Sequence, residues 1–192
     1  MKKIGVLTIQ GDCIEHLEAL RQAANGRFEI VSAKTAEAVS LLDGLIIPGG
    51  ESTTIGKLAK MYGVDKAVKQ RASEGMAVWG TCAGAILIAK ELVGAQTADI
   101  WNLMDITVER NAYGRQLDSF ETELAFEGEK VPAIFIRAPK IASIGKGVEV
   151  LARHEGEIVM AREKNLMITT FHPELTDDII IHSYFLKCVN ES

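Results

Sequence analysis

Cysteine, histidine and glutamate are the residue types in this chain whose spacing could do covalent chemistry. Residues 77–90 read Ala-Val-Trp-Gly-Thr-Cys-Ala-Gly-Ala-Ile-Leu-Ile-Ala-Lys, an apolar strand-like stretch that runs into a helical one through Gly80-Thr81-Cys82-Ala83-Gly84. A G-x-C-x-G turn of this kind is a nucleophile elbow. Small residues at 80, 83 and 84 let the chain turn sharply, so that residue 82 stands above the strand ends with a helix amino terminus aimed at it. That terminus favours the thiolate, which is the reactive form of cysteine. Taken alone, Cys82 also reads as a small buried hydrophobe in a tight turn.

A second feature changes the balance. Residues 166–174, Leu-Met-Ile-Thr-Thr-Phe-His-Pro-Glu, end an apolar strand in His-x-Glu, which sets His172 beside a carboxylate able to fix its tautomer and steady its charged form. Cys82, His172 and Glu174 then supply nucleophile, base and orienting acid for acyl transfer from an amide. The oxyanion needs backbone N–H donors, and the candidates are Ala83 at the helix start and Gly49-Gly50 after the stretch 44–48.

The elements that must position these groups alternate through the first half. Short apolar runs at 4–10, 28–32, 44–48 and 76–81 read as strands, with helical spacing at 12–24 and at 54–74, where Gly63 is a break. That alternation predicts a parallel sheet with helices on both faces, whose carboxyl edge carries the site. From residue 106 onward, strands are expected at 106–109, 116–124, 133–138, 148–154 and 157–161, with a hairpin at Glu155-Gly156. A strand at 166–170 and a helix at 177–188 capped by Thr176 or Asp177 complete the pattern.

Bulk numbers narrow the function classes. The 192 residues fit one domain, 1–192, able to bury roughly 70% of its unfolded surface. Lys and Arg number 21 against 26 Asp and Glu, a formal charge of -5 that offers no basic field for nucleic acid. No apolar run is long enough for a membrane helix, so a soluble, cytoplasmic protein is expected. Three separated cysteines suggest no disulfide framework, and no ligand set at metal spacing calls for a metal or other cofactor.

The runs Pro48-Gly-Gly-Glu-Ser-Thr-Thr54, Gly80-Thr-Cys-Ala-Gly84 and Phe171-His-Pro-Glu174 together resemble the class I (triad) glutamine amidotransferases. Three further runs, at 6–11, 109–121 and 135–139, are similar to those of the glutaminase subunits of pyridoxal phosphate synthases, and the likeness spans the chain. The resemblance implies a three-layer αβα sandwich with a mostly parallel central sheet, flavodoxin-like in topology. It implies glutamine hydrolysis through a thioester on Cys82, and ammonia handed to a separate (β/α)8-barrel synthase chain. It implies that Gly49, Gly50, Glu51, Arg110, Ile136 and Arg137 surround the glutamine, with Gly50 and Ala83 at the oxyanion. Arginine forks grip carboxylates and Glu51 can receive an ammonium, whereas Ile136 is expected to act through its main chain. Asp12-Cys13 and Ala85-Ile86 depart from the family pattern without touching the triad.

Other features read as structural. Residues 50–57 lack the spacing of a phosphate-binding loop. Cys13 and Cys188 are expected to pack on helices. His16 belongs to the first helix, His154 to a hairpin tip and His182 to the exposed face of the last helix. A glutaminase serving another synthase is disfavoured by the run 109–121. A redox or regulatory protein built on the same cysteine elbow would have no need of His172-Pro-Glu174.

Overall fold

The computed structural model describes residues 1–94, 100–110 and 119–191. In its first half β1 (Lys3–Leu7), α1 (Cys13–Ala24), β2 (Glu29–Ala33), α2 (Ala36–Ser40), β3 (Gly44–Ile47), α3 (Ser52–Met61), α4 (Val64–Ser73), β4 (Ala77–Thr81) and α5 (Ala83–Ile88) follow one another. The second half adds β5 (Ala89–Leu92), β6 (Met104–Glu109), β7 (Ser119–Phe126), β8 (Glu129–Ile136), β9 (Lys140–Ile144), β10 (Glu149–His154), β11 (Glu157–Glu163) and β12 (Leu166–Thr169). A 3-10 turn, Pro173–Leu175, and α6 (Ile180–Glu191) close it.

The central seven-stranded sheet runs β10-β11-β12-β4-β3-β1-β2. Its pairings from β12 through β4, β3 and β1 to β2 are parallel, while β10 and β11 extend it antiparallel at one edge. The α/β architecture with a mostly parallel sheet is thus as expected. Alternate residues of each central strand serve opposite faces, as the pleat requires. Leu45, Ile47, Val78, Leu166 and Ile168 enter one core with α3, α4 and α5, whereas Ile46, Ala77, Trp79 and Met167 enter another with α1 and α6. The small sheet β5-β6-β9 covers the first core, and the β7-β8 hairpin covers the second.

Several boundaries differ from expectation. The helical stretch expected at 54–74 starts earlier, at Ser52, and breaks at Gly63 as expected, where that residue takes a left-handed conformation (φ 68°) between two helices. The last helix begins at Ile180, and its first amide donates to Asp178 Oδ1 at 2.7 Å, so the side chain that meets the helix start is that of Asp178 instead of Thr176 or Asp177. Thr176 Oγ1 accepts from the Asp178 amide at 3.3 Å and so holds the turn that leads into the helix. The start of the strand expected at 116–124, and most of the run 109–121, lie outside the described residues. No helix among the described residues is long and apolar enough to cross a membrane.

The elbow glycines are required by close packing. A Cβ on Gly84 would stand 2.0 Å from the carbonyl oxygen of Ile47, and one on Gly80 2.5 Å from the Gly84 backbone. Backbone cannot give way as a side-chain tip can. Gly84→Ala is expected to destabilise the fold by about 3 kcal/mol in denaturant unfolding. Gly147→Ala, whose Cβ would meet only Glu163 Oε1 at 3.4 Å, is the control, expected within about 0.5 kcal/mol of the parent.

Candidate active site

Cys82 leaves β4 with φ 46° and ψ -99°, a sparsely populated conformation for a residue with a side chain. Packing holds it there. Its amide donates to Thr169 O at 2.9 Å, continuing the ladder between β4 and β12, and its carbonyl receives the Ile86 amide at 3.3 Å. The thiol Sγ lies 3.9 Å from the Ile136 carbonyl oxygen, so Ile136 meets the sulfur through its main chain.

β4 and β12 pair in the register Thr81 with Thr169, and the residues just beyond each strand therefore emerge side by side. His172 is anchored by its amide to Ile134 O at 2.8 Å, and its Nδ1 hydrogen-bonds Glu174 Oε1 at 2.7 Å. Both side chains are buried. Burial pulls the His172 imidazole down, but hydrogen bonds to Cys82 and Glu174, with their charges, outweigh it and push His172 up to about 10. Burial raises the Glu174 carboxyl against the opposing hydrogen bond and charge of His172. The Nδ1 proton of His172 is thus held by Glu174, leaving Nε2 for a reacting partner.

A cleft of about 460 Å³ opens over this cluster. Gly50, Glu51, Cys82, Ala83, Arg110, Ile136, Arg137 and His172 line it. Arg137 is exposed, with φ 43°, whereas Arg110 Nε is buried without a hydrogen-bond partner among the described residues. Gly49 does not line the cleft. It lies beside His172, where a Cβ would stand 2.4 Å from the imidazole Cε1, so its role is to admit the ring.

Glu51 differs from its simple reading as a free acceptor. Its carboxylate caps α3, accepting from the amides of Thr53 at 3.2 Å and Thr54 at 2.7 Å and from both threonine hydroxyls. Those hydrogen bonds, the hydroxyls first, hold its carboxyl down at about 2.

Three residues were not singled out for the site from the sequence. Gln10 Oε1 accepts the Glu51 amide at 3.0 Å and so ties the 49–51 loop to the first strand's end. Asp12 places Oδ2 3.5 Å from His172 Nδ1. Ligand atoms of Asp12, His172 and Glu174 lie within 4.8 Å of one another, but the His172–Glu174 hydrogen bond occupies two of the three groups. His16 was read as structural only, yet its Nε2 is 3.4 Å from Glu174 Oε2. His182, expected on an exposed face, is fully buried and its Nε2 lies 3.0 Å from His16 Nδ1. Cys13 is half-buried and Cys188 buried, as packing residues should be. Burial and nearby acids push the Cys13 thiol to about 11, and burial also raises Cys188.

The profile of the SNO glutamine amidotransferase family matches residues 6–191. The chain belongs to that family. It is 49% identical over 97% of both chains to the pyridoxal 5'-phosphate synthase subunit PdxT of Methanocella arvoryzae, and 50% identical over 99% of both to that of Niallia circulans. A crystal structure of a glutamine amidotransferase superposes with a TM-score of 0.92 at 46% identity, covering 97% of this chain and 98% of the other. The PurLQS structure from Thermotoga maritima, at TM-score 0.71 and 15% identity, shares the fold. Glutamine amidotransferase membership gives the buried cysteine and histidine of the cleft, and the glutamate behind them, a chemical context.

Glu51 yields a pH prediction. A carboxyl whose folded value lies below its unfolded one, here about 2 against 4.5, contributes stability that is present above 4.5 and lost as pH falls toward 2. Glu51→Ala is expected to lower stability by about 1 kcal/mol at neutral pH. In thermal melts against pH, the gap from the parent should close as pH falls from 4.5 to about 2.

Proposed function

We propose that the chain hydrolyses L-glutamine to L-glutamate and ammonia as the glutaminase subunit of pyridoxal 5'-phosphate synthase, using Cys82, His172 and Glu174. The observation that carries the triad is the 2.7 Å hydrogen bond from buried His172 Nδ1 to Glu174 Oε1, with His172 lining the same cleft as Cys82. The reading takes residues 1–192 as one glutaminase domain in the cytoplasm, with no cofactor.

The Cys82 thiolate attacks the side-chain carbonyl carbon of glutamine, and the carbonyl electrons move onto oxygen. Backbone N–H groups of Gly50 and Ala83 receive that oxyanion. As the tetrahedral centre collapses, His172 gives its Nε2 proton to the departing nitrogen, which leaves as ammonia. A glutamyl thioester on Cys82 remains. His172 then takes a proton from water, hydroxide adds to the thioester carbonyl, and collapse expels the thiolate and releases glutamate. Glu174 holds the imidazole in one tautomer and steadies its charged form throughout. Arg110 and Arg137 suit the α-carboxylate of glutamine, and Glu51, together with Ile136 and Gly50, completes the wall around the substrate.

The ammonia acceptor in this reading is a separate (β/α)8-barrel chain docked over the cleft mouth, where exposed Ile136 and Leu175 supply an apolar rim. Such a partner would also act on the 49–50 peptide. Its carbonyl is held by the Asp12 amide at 3.3 Å, and because the peptide is trans the Gly50 N–H faces the opposite way. Docking at the 10–12 loop can turn that dipole and complete the oxyanion site.

Glutaminase rates measured with and without the barrel subunit test both parts. The expected result is a low rate for the chain alone, a marked rise with the barrel, and loss of at least about a thousandfold in Cys82→Ala. Synthesis from added ammonia should survive in that variant. Glutamine turnover by Cys82→Ala would contradict the triad, and a rate indifferent to the barrel would contradict the partner.

A further inference from the structure

Behind Glu174 lies a group of buried side chains that the reaction as described does not use. Glu174 Oε1 is satisfied by His172, but Oε2 is buried with no hydrogen-bond partner among the described residues. A half-satisfied carboxylate in such a place is costly unless a donor stands near. One such donor is His16, fully buried on α1, whose Nε2 lies 3.1 Å from Thr81 Oγ1 and 3.4 Å from Glu174 Oε2. On its other side, His16 Nδ1 is 3.0 Å from Nε2 of His182, fully buried on α6. Trp79 packs edge-on against both imidazoles, with ring centroids 5.5 Å from His16 and 5.0 Å from His182.

The protons in this row can be placed by elimination. His182 Nδ1 is buried with no hydrogen-bond partner among the described residues. If His16 donated from Nδ1, His182 Nε2 would have to accept, and its proton would sit stranded on Nδ1. The lone pair of His16 Nε2 would then also face the Glu174 carboxylate. If instead His182 donates from Nε2 to His16 Nδ1, the unpartnered Nδ1 carries only a lone pair, and His16 Nε2–H points toward Thr81 and Glu174. Orphaned buried N–H groups are the rarer and costlier kind, so the second arrangement is favoured. Both imidazoles stay neutral, because burial drives His16 well below its ordinary value and His182 down to about 3.

We propose that His16 is a positioning residue: its Nε2–H, hydrogen-bonded to Thr81 Oγ1 and standing 3.4 Å from Glu174 Oε2, steadies the carboxylate that orients His172, and His182 fixes the tautomer of His16 that carries this proton. The inference rests on the reading of Cys82, His172 and Glu174 as the triad. Groups beyond the reacting shell act in this way when they fix the ring or carboxylate that does the work.

The test measures kcat, KM for glutamine and the pH profile of kcat for the full chain with its barrel partner, in the parent and in Cys82→Ala, His16→Phe and His16→Gln. Phenylalanine keeps the ring and loses the donor. The expected result for His16→Phe is a fall in kcat of roughly 10- to 100-fold with KM changed by less than about threefold. Its acid limb should also move to higher pH, since a carboxylate that loses a donor holds its proton longer. The groups facing Glu174 that share this titration are His172, Asp12 and His16 itself. His16→Gln, whose terminal amide nitrogen falls near the imidazole Nε2, should recover most of kcat and return the limb toward the parent. A defect confined to packing would lower the folded fraction without moving the limb and without rescue by glutamine, and that result would overturn the proposal.

Parent-like kcat in folded His16→Phe, with Cys82→Ala inactive, would overturn this inference alone. Activity retained in Cys82→Ala would remove the triad reading and the inference with it. Should His16→Phe fail to fold, nitrogen-15 spectra of the histidine rings in the parent decide. Protons on Nε2 of both His16 and His182 are expected, and a proton on His16 Nδ1 would overturn the proposal.

Discussion

The parallel pairing of β4 with β12 is the constraint on which the rest depends. These strands are far apart in the chain, yet the register that sets Thr81 against Thr169 delivers residue 82 and residues 170–174 to the same sheet edge. The ladder then continues past both strand ends. Cys82 donates to Thr169 O, Thr170 to Val159 O and His172 to Ile134 O, so each departing segment is held by a neighbour from a different element. A slip of one residue would turn every side chain to the opposite face and part the sulfur from the imidazole. Gly80 and Gly84 serve the same end, since the elbow closes only if its backbone can lie against the neighbouring strand.

Electrostatics builds on that geometry. A buried carboxylate is tolerated because an imidazole carries a matching proton at 2.7 Å, and the proposed thiolate is tolerated because the same imidazole stays charged up to about 10. The other two thiols do not line the cleft, and burial together with acidic neighbours raises both Cys13 and Cys188. The neutral His16–His182 pair extends the polar network inward without adding charge, which suits a region closed off by Trp79 and α6.

Much of this was legible in the sequence, for identifiable reasons. The cysteine elbow announces itself because only small residues fit at 80, 83 and 84, and the His172–Glu174 pair because both follow an apolar strand end. The central sheet was legible because fully buried strands read as short apolar runs. β5 and β9 were not, since β5 follows α5 with no breaking residue between them and β9 is a short half-exposed piece. His16 was placed on the first helix correctly, but its burial there was not foreseen and His182 was misread as exposed, although a signal existed for both. His16 falls on the buried stripe of α1 with Ala19, Leu20 and Ala23, and His182 on that of α6 with Phe185, Leu186 and Val189. Their mutual contact joins residues from opposite ends of the chain and depends on how the two helices cross, which local spacing does not encode. Gln10 and Asp12 were hidden likewise, because they reach the site from a loop beside the adjoining strand.

The most direct test of the central claim is covalent labelling with a glutamine analogue carrying an electrophile in place of its side-chain amide, read by peptide mass spectrometry with the barrel partner present. The account predicts one label per chain, on the peptide containing Cys82, with protection by glutamine and none in Cys82→Ala. Labelling of Cys13 or Cys188 at a comparable rate, or labelling of Cys82 that glutamine does not slow, would contradict it.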